Sequence, residues 1–261
     1  MNPFARICQT RLPFTPWMAE KTRRLPGIQP VAAGEWLLRD EVFAQQMAYR
    51  DHLLATRREA VFRAAPESLP AQQELLELVL AELDTGYDIN GRCVRRPDGI
   101  SVETGDDAPV VDAARLVQED LLILEERQEY ALTAAVLCFP ASWTLEEKFL
   151  RGLVGIHGPV DEYDADMAKR VGRMFTAIRP EQPLWRANFL RYDDPDLHQP
   201  RREGDERTLS GNGGFVRVER QTLRKLPASD AVVFGIHTYV VALDALEVAE
   251  RDGLQRTPAE R

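Results

Sequence analysis

Gly214-Phe-Val-Arg-Val-Glu-Arg-Gln-Thr-Leu-Arg-Lys-Leu-Pro227, followed by Ala231-Val-Val-Phe-Gly-Ile-His-Thr-Tyr239, decides the fold. Both runs alternate in twos, and Pro227-Ala-Ser-Asp230 between them is a turn signal, so the stretch predicts a β-hairpin. Alternate side chains of a strand share a face. Phe215, Arg217, Glu219, Gln221 and Leu223 therefore fall on one side, and Val216, Val218, Arg220 and Thr222 on the other. Three hydrogen-bonding groups stand in a row between two apolar ones. Either that row is a solvated face, the reading periodicity alone favours, or it lines a polar pocket for a small ligand.

Leu184 to Tyr192 reads as another strand, and so does the mostly apolar run Glu129 to Phe139, closed by Pro140. Ahead of them the pattern is helical. Asp40 is placed to cap a helix carrying Phe43, Met47, Leu54 and Val61. Pro66 and Pro70 lead into a second apolar stripe of Leu75, Leu76, Val79, Leu80 and Leu83, which stops near Gly86. Tyr87 to Val111, broken by Gly91, Pro97, Gly99 and Gly105, suggests short strands or turns. Asp112 is read as the cap of a helix with Leu116, Val117, Leu121 and Leu124. Leu145 to Leu153 reads as a short helix, and Asp164 opens another bearing Met167, Val171, Met174, Phe175 and Ile178. The residues after Val241 look helical. Helices first, then strands without regular βαβ alternation, point to an α+β fold with an antiparallel sheet. The expected organisation is one domain over residues 1–261, helical over 1–86, with a mixed sheet and helix core over about 87–245.

The chain has 261 residues, 44% hydrophobic and 29% charged, with a net charge of −9. That charge argues against a nucleic-acid partner, since phosphate binding needs a concentrated positive field. Arg201, Arg202 and Arg207 are interleaved with Glu203, Asp205 and Glu206, as in a solvated loop. There is no run of about 18 apolar residues for a membrane span, and Met1-Asn-Pro-Phe-Ala-Arg lacks the order of a secretion signal. Cys8, Cys93 and Cys138 are far apart and odd in number, so a reducing cytoplasm is expected. No dinucleotide fingerprint, phosphate loop or nucleophile elbow is present. Of four histidines, His52 and His198 read as surface residues, and His237 as a hydrogen-bonded core residue on an apolar strand face. His157, between Gly155 and Gly158-Pro159 in a tight corner, is either a ligand or a loop histidine binding a carbonyl.

Several short elements occur in a fixed order: Leu12-Pro-Phe, Trp36-x-x-x-Asp40, Val117-Gln-Glu-Asp-Leu121, Trp143 with Lys148, Ile156-His-Gly-Pro-Val160 with Tyr163, Arg186-x-Asn188, Arg217-x-Glu-Arg-Gln-Thr-Leu223, and Leu226-Pro with Thr238-Tyr239. Together, over roughly Phe14 to Leu243, the chain resembles the heme-dependent oxidative N-demethylase alpha-subunit-like family. The resemblance implies a PAS-like antiparallel sheet with packed helices holding heme b. It implies a monooxygenase that removes a methyl group from a small secondary amine such as dimethylamine. The oxidant would be O2, with electrons from a separate reductase subunit of the NADPH, flavin and iron–sulfur kind. Carried onto this sequence, His157 is the choice for the axial iron ligand, with Tyr163, Arg220 and His237 beside the cofactor. Arg217, Glu219 and Gln221 become the catalytic or pocket residues, glutamate suiting a cationic amine. Two departures stand out. The corner reads Pro159-Val-Asp-Glu-Tyr163 where a second proline and a glycine are expected, and His237 stands where Ile-x-Thr-Tyr is expected to carry arginine. A heme or small-ligand sensor on the same fold, and a heme-free enzyme with Glu219 as general base, are the alternative readings.

Overall fold

The hairpin forms as its alternation predicts. In the computed structural model, which describes residues 4, 6–23, 27–153, 165–205 and 213–256 (165–169 as backbone only), Phe215–Lys225 and Val232–Ala242 pair antiparallel over their whole length. Leu226 N donates to Ala231 O at 2.8 Å to close the turn, where Asp230 adopts φ 58°. The strands in chain order are β1 (Gln29–Pro30), β2 (Phe62–Ala64), β3 (Asp88–Asn90), β4 (Cys93–Arg95), β5 (Ser101–Glu103), β6 (Asp120–Glu126), β7 (Tyr130–Val136), β8 (Leu184–Tyr192), β9 (Phe215–Lys225) and β10 (Val232–Ala242). Seven of them make one sheet in the order β1-β8-β9-β10-β6-β7-β2, each pairing antiparallel. The other three, β3-β4-β5, make a small separate sheet. The described helices are α1 (Phe43–Thr56), α2 (Arg58–Val61), α3 (Leu69–Glu82), α4 (Pro109–Ala114), α5 (Leu145–Lys148), α6 (Ala165–Ala177) and α7 (Val248–Arg256). The fold is α+β. Among the described residues no helix is long and apolar enough to cross a membrane.

Register sorts the sheet into two faces. Leu121, Ile123, Ala134, Val136 and Val233 share the first, where they join α1 through Leu53, α3 through Leu75 and Val79, and α4 through Val110 and Val111 in the main core. Farther along that face Phe189, Val216, Val218, Tyr239 and Val241 pack on Trp17 and on Leu254 of α7. α3 also fixes the hairpin, because the Glu74 carboxylate accepts hydrogen bonds from Ala228 N and Ser229 N at 2.6 and 2.8 Å. The second face carries Leu122, Leu132, Ala135 and Ile236 under Leu145 of α5, and Leu124, Leu223 and Val232 under Phe175 of α6 with Ile178 beyond its end.

The sequence expectations fail in instructive places. No helix runs from Asp112 to Leu124: α4 stops at Ala114, and Asp120 starts a central strand. Leu121 to Leu124 are buried on both sides of the sheet, and a strand covered on both faces loses its alternation. Asp40 is not the cap of α1; Val42 holds that place, and Asp40 Oδ1 accepts from Val42 N at 3.0 Å while its other oxygen faces inward. The expected helix to Val61 breaks at Arg57. The helix from Leu145 ends at Lys148, with Leu150 at φ 60°. The segment 1–86 is not helical throughout, since it supplies both edge strands of the large sheet, β1 and β2.

Candidate functional site

The row Arg217, Glu219, Gln221 lies on the second face and is not solvated. Arg217 is 2% exposed and Glu219 5%. Arg217 Nε donates to Glu219 Oε1 at 3.3 Å, and Gln221 Nε2 donates to Glu219 Oε2 at 3.0 Å, so the three form a ladder along β9. The remaining guanidinium hydrogens hold the chain around it: Nη1 donates to Leu197 O at 2.9 Å, and Nη2 to Phe139 O. Such charge-assisted bonds are about twice as strong as neutral ones. Both Glu219 oxygens are thus engaged and its charge is balanced, an arrangement that does not supply a free general base.

The neighbouring strand extends the polar strip. Asn188 sits across from Glu219, and Arg186 across from Gln221. Leu184, Arg186, Asn188 and Leu190 are only half-buried, as is Gln221. The Asn188 amide forms no hydrogen bond among the described residues, although its Oδ1 is shut off from solvent. A buried amide oxygen without a donor is costly, and this one borders the uncovered part of the face. The segment bearing His157 and Tyr163 lies outside the described residues. Leu153 before it and Phe175 and Ile178 after it pack in one cluster with Leu223, on the face that carries Gln221.

Arg220 and His237 are on the other face, so one pocket cannot be lined by all the residues singled out in the sequence. Arg220 is buried, donates to the carbonyls of Glu35 and Trp36, and lies 5.5 Å over the Trp185 ring. Burial lowers its pKa. His237 is buried in a polar network. Its Nδ1 is 3.1 Å from Glu119 Oε1 and its Nε2 3.4 Å from Asp40 Oδ2. Burial alone would push the imidazole down, but Asp40 and Glu119 outweigh it and raise its pKa to about 9. Burial likewise works to raise the Asp40 carboxyl, which the His237 bond and charge, with Gln118 and Gln9, hold below the usual range. An imidazolium donating from both nitrogens has no lone pair for iron. Here the core-histidine reading fits: the ring is buried and both nitrogens meet carboxylates.

His198 corrects another expectation, for it is 9% exposed rather than on the surface. Its Nδ1 lies 2.8 Å from Cys138 O. Burial lowers its pKa. Nothing in its Asp-Pro-Asp-Leu-His setting signals this burial. Gln118 and Glu119 also had no role assigned in the sequence beyond the ordered motif that contains them, and Asp40 had only that of a helix cap. Their signal was a polar triplet, Gln118-Glu-Asp120, set directly against an apolar run. Among the described residues no group of three or more His, Cys, Asp or Glu side chains is placed to hold a metal ion.

The chain is an α+β protein whose second sheet face, beside α5 and α6, carries a polar strip of half-buried residues. Over residues 27–257 the chain matches the family described as Haem-dependent oxidative N-demethylase, alpha subunit-like, and it belongs to that family. The description implies heme dependence and a partner subunit.

Proposed function

We propose that this chain is the heme b subunit of a cytoplasmic monooxygenase that oxidatively demethylates a small secondary amine with O2, drawing electrons from a separate reductase. The observation that carries the reading, beside the family match, is the half-open strip around the unpartnered Asn188 amide. The residues on that strip fit a porphyrin. Gln221 and Asn188 offer hydrogen-bonding amides, Leu184 and Leu190 offer apolar contact, and the flanks of the His157 segment pack on the same face. His157 is the axial ligand in this reading, and Tyr163 lies close to it in sequence. When bound, the heme supplies oxygen binding and one-electron chemistry. The protein supplies orientation. The Arg217–Glu219–Gln221 ladder fixes Gln221 at the edge of the strip, and Asn188 presents a hydrogen-bonding amide beside it.

The test is an absorption spectrum. Purified after expression with heme supplied, the protein is expected to show the Soret band of a b-type heme, and His157→Ala to lose most of it. Dimethylamine-dependent O2 uptake with a reductase is expected in addition. A colourless protein ends the proposal. One observation favours the sensor reading: Glu219, the residue suited to a cationic amine, is already neutralised by Arg217. That reading predicts a Soret band without amine-dependent O2 uptake.

A further inference from the structure

Asp40, Gln118, Glu119 and His237 come from three parts of the chain and meet in one largely buried cluster on the first face. Its charge balance turns on one proton. Arg220 stands directly across from His237 on β9, and its guanidinium donates to the carbonyls of Glu35 and Trp36. Glu119 Oε2 has no donor among the described residues, so the imidazole and Leu38 N are what meet that carboxylate. The phenols of Tyr87 and Tyr239, pushed up by burial, stay neutral where an imidazole titrates. Glu41, next to Asp40, is exposed and bound by Thr10. With the ring protonated, Asp40 and Glu119 face His237 and Arg220, charge for charge. Without that proton two buried carboxylates are left against one cation, and unbalanced buried charge is costly.

The cluster does not end at the ring. Asp40 Oδ2 also accepts from Gln9 Nε2 at 2.7 Å, and Asp40 Oδ1 from Gln118 Nε2 at 2.9 Å. Gln118 Nε2 lies 2.9 Å from Gln46 Oε1 as well. Gln9 and Gln46 in turn donate to the carbonyl of Thr238, at 3.4 and 3.1 Å. The hydroxyl of Thr238 is on the second face. There it accepts from Arg217 Nη2 at 3.4 Å, and Thr238 itself stands directly across from Glu219. One residue thus has its carbonyl in the charge cluster and its hydroxyl against the Arg217–Glu219–Gln221 ladder.

We propose that the proton on His237 governs that ladder through Thr238, so that the second-face strip is braced while the ring is charged and loosens when the ring is neutral. Coupling of this kind is reciprocal: a molecule on the strip that braces Gln221 would also hold the proton on His237. It applies to whatever the strip holds and does not rest on the heme reading.

Carbon NMR of the ¹³C-labelled full-length chain tests it with no ligand added. His237 is followed at its ring carbon Cε1, identified by its loss in His237→Gln. The ladder is followed at the Gln221 carboxamide carbon, identified by its loss in Gln221→Leu, a change at a half-buried position. Burial opposes the His237 proton, and the Asp40 and Glu119 contacts outweigh it to put its pKa at about 9. Across that pH the Gln221 signal is expected to shift with the same midpoint as His237. In His237→Gln the shift is expected to vanish. Thr238→Val keeps the shape of the side chain and removes its hydroxyl; there His237 is expected still to titrate, with most of the Gln221 shift lost. A Gln221 signal that stays flat through the His237 midpoint, one that still shifts in His237→Gln, or one unaffected by Thr238→Val each overturns the coupling. A ring with no midpoint near 9 overturns it too. A colourless protein in which both signals titrate together refutes only the heme reading; a Soret band with a flat Gln221 signal refutes only the coupling.

Discussion

Asp120→Ala is expected to lower the unfolding free energy by about 3–5 kcal/mol, the usual cost of removing one partner of a buried ion pair. Asp120 and Arg50 both have fully buried side chains, with Arg50 Nη1 2.7 Å from Asp120 Oδ1. Burial works against the Arg50 charge, and Asp120 outweighs it, so the guanidinium stays charged. Arg50 Nη2 also donates to Gln118 O at 2.7 Å, and the guanidinium lies 5.1 Å over the Phe139 ring. Asp120 accepts from Cys138 N and Phe139 N at 2.9 and 2.8 Å as well. One carboxylate thus ties α1, the start of β6 and the chain leaving β7. Alanine would strand a buried cation and two backbone donors at once. At about 2–4 °C per kcal/mol for a chain of this size, the melting point is expected to fall by on the order of 10 °C. The double variant Arg50→Met, Asp120→Leu is expected to be less destabilised than Asp120→Ala, because no lone charge remains. The carbonyl of Cys138 holds His198 and that of Phe139 holds Arg217, so the His198 contact and the ladder should loosen together. Urea unfolding of both variants decides it: an Asp120→Ala protein within about 1 kcal/mol of wild type would mean that the pair carries little.

β8 and α3 were legible because each buries mainly one face, which writes its period into the sequence, and the hairpin because a turn signal separates two alternating runs, although β10 is buried on both faces. β6 was not, since Leu121 to Leu124 are buried on both sides, and Leu116, Val117, Leu121 and Leu124 happen to mimic a helical stripe. The polar row on β9 was legible as a row, and its opposition to Arg220 followed from the strand period. Its burial was not legible. The groups that cover Arg217 are the carbonyls of Leu197 and Phe139, 20 and 78 residues away. The same limit applies to the histidines. Local context made His237 a core residue, but only the fold brings Glu119 and Asp40 to it from 118 and 197 residues away. His198 looked solvated because its neighbours in sequence are polar, while its neighbours in space are Cys138 and Leu137.

Stability is expected to fall by about 3 kcal/mol as pH rises from 6.5 to 9, and His237→Gln is expected to flatten that slope. The His237 pKa is about 9 in the folded chain against 6.5 for the free group. A shift of that size corresponds to about 2.5 × 1.36 kcal/mol. The folded-state value is raised, so the contribution is whole below pH 6.5, where both states bind the proton. It is lost as pH climbs through 9. Asp40 has the opposite sign. Its pKa is lowered, so its contribution is present above 3.8 and fades as pH falls through the folded value. The buried Cys138 and Tyr239, whose pKa values burial raises, begin to destabilise the fold only where the unfolded chain loses those protons, from about pH 9 upward. Between 6.5 and 9 the slope therefore belongs mainly to His237, with His198, whose pKa burial lowers, opposing it near the low end. Urea titrations across that window, on wild type and His237→Gln, measure it directly. Equal slopes in the two proteins would mean that the imidazole is neutral in the fold. Only one nitrogen of such a neutral ring carries a lone pair, and the same pair of titrations decides whether His237 is a core cation or has that lone pair to offer.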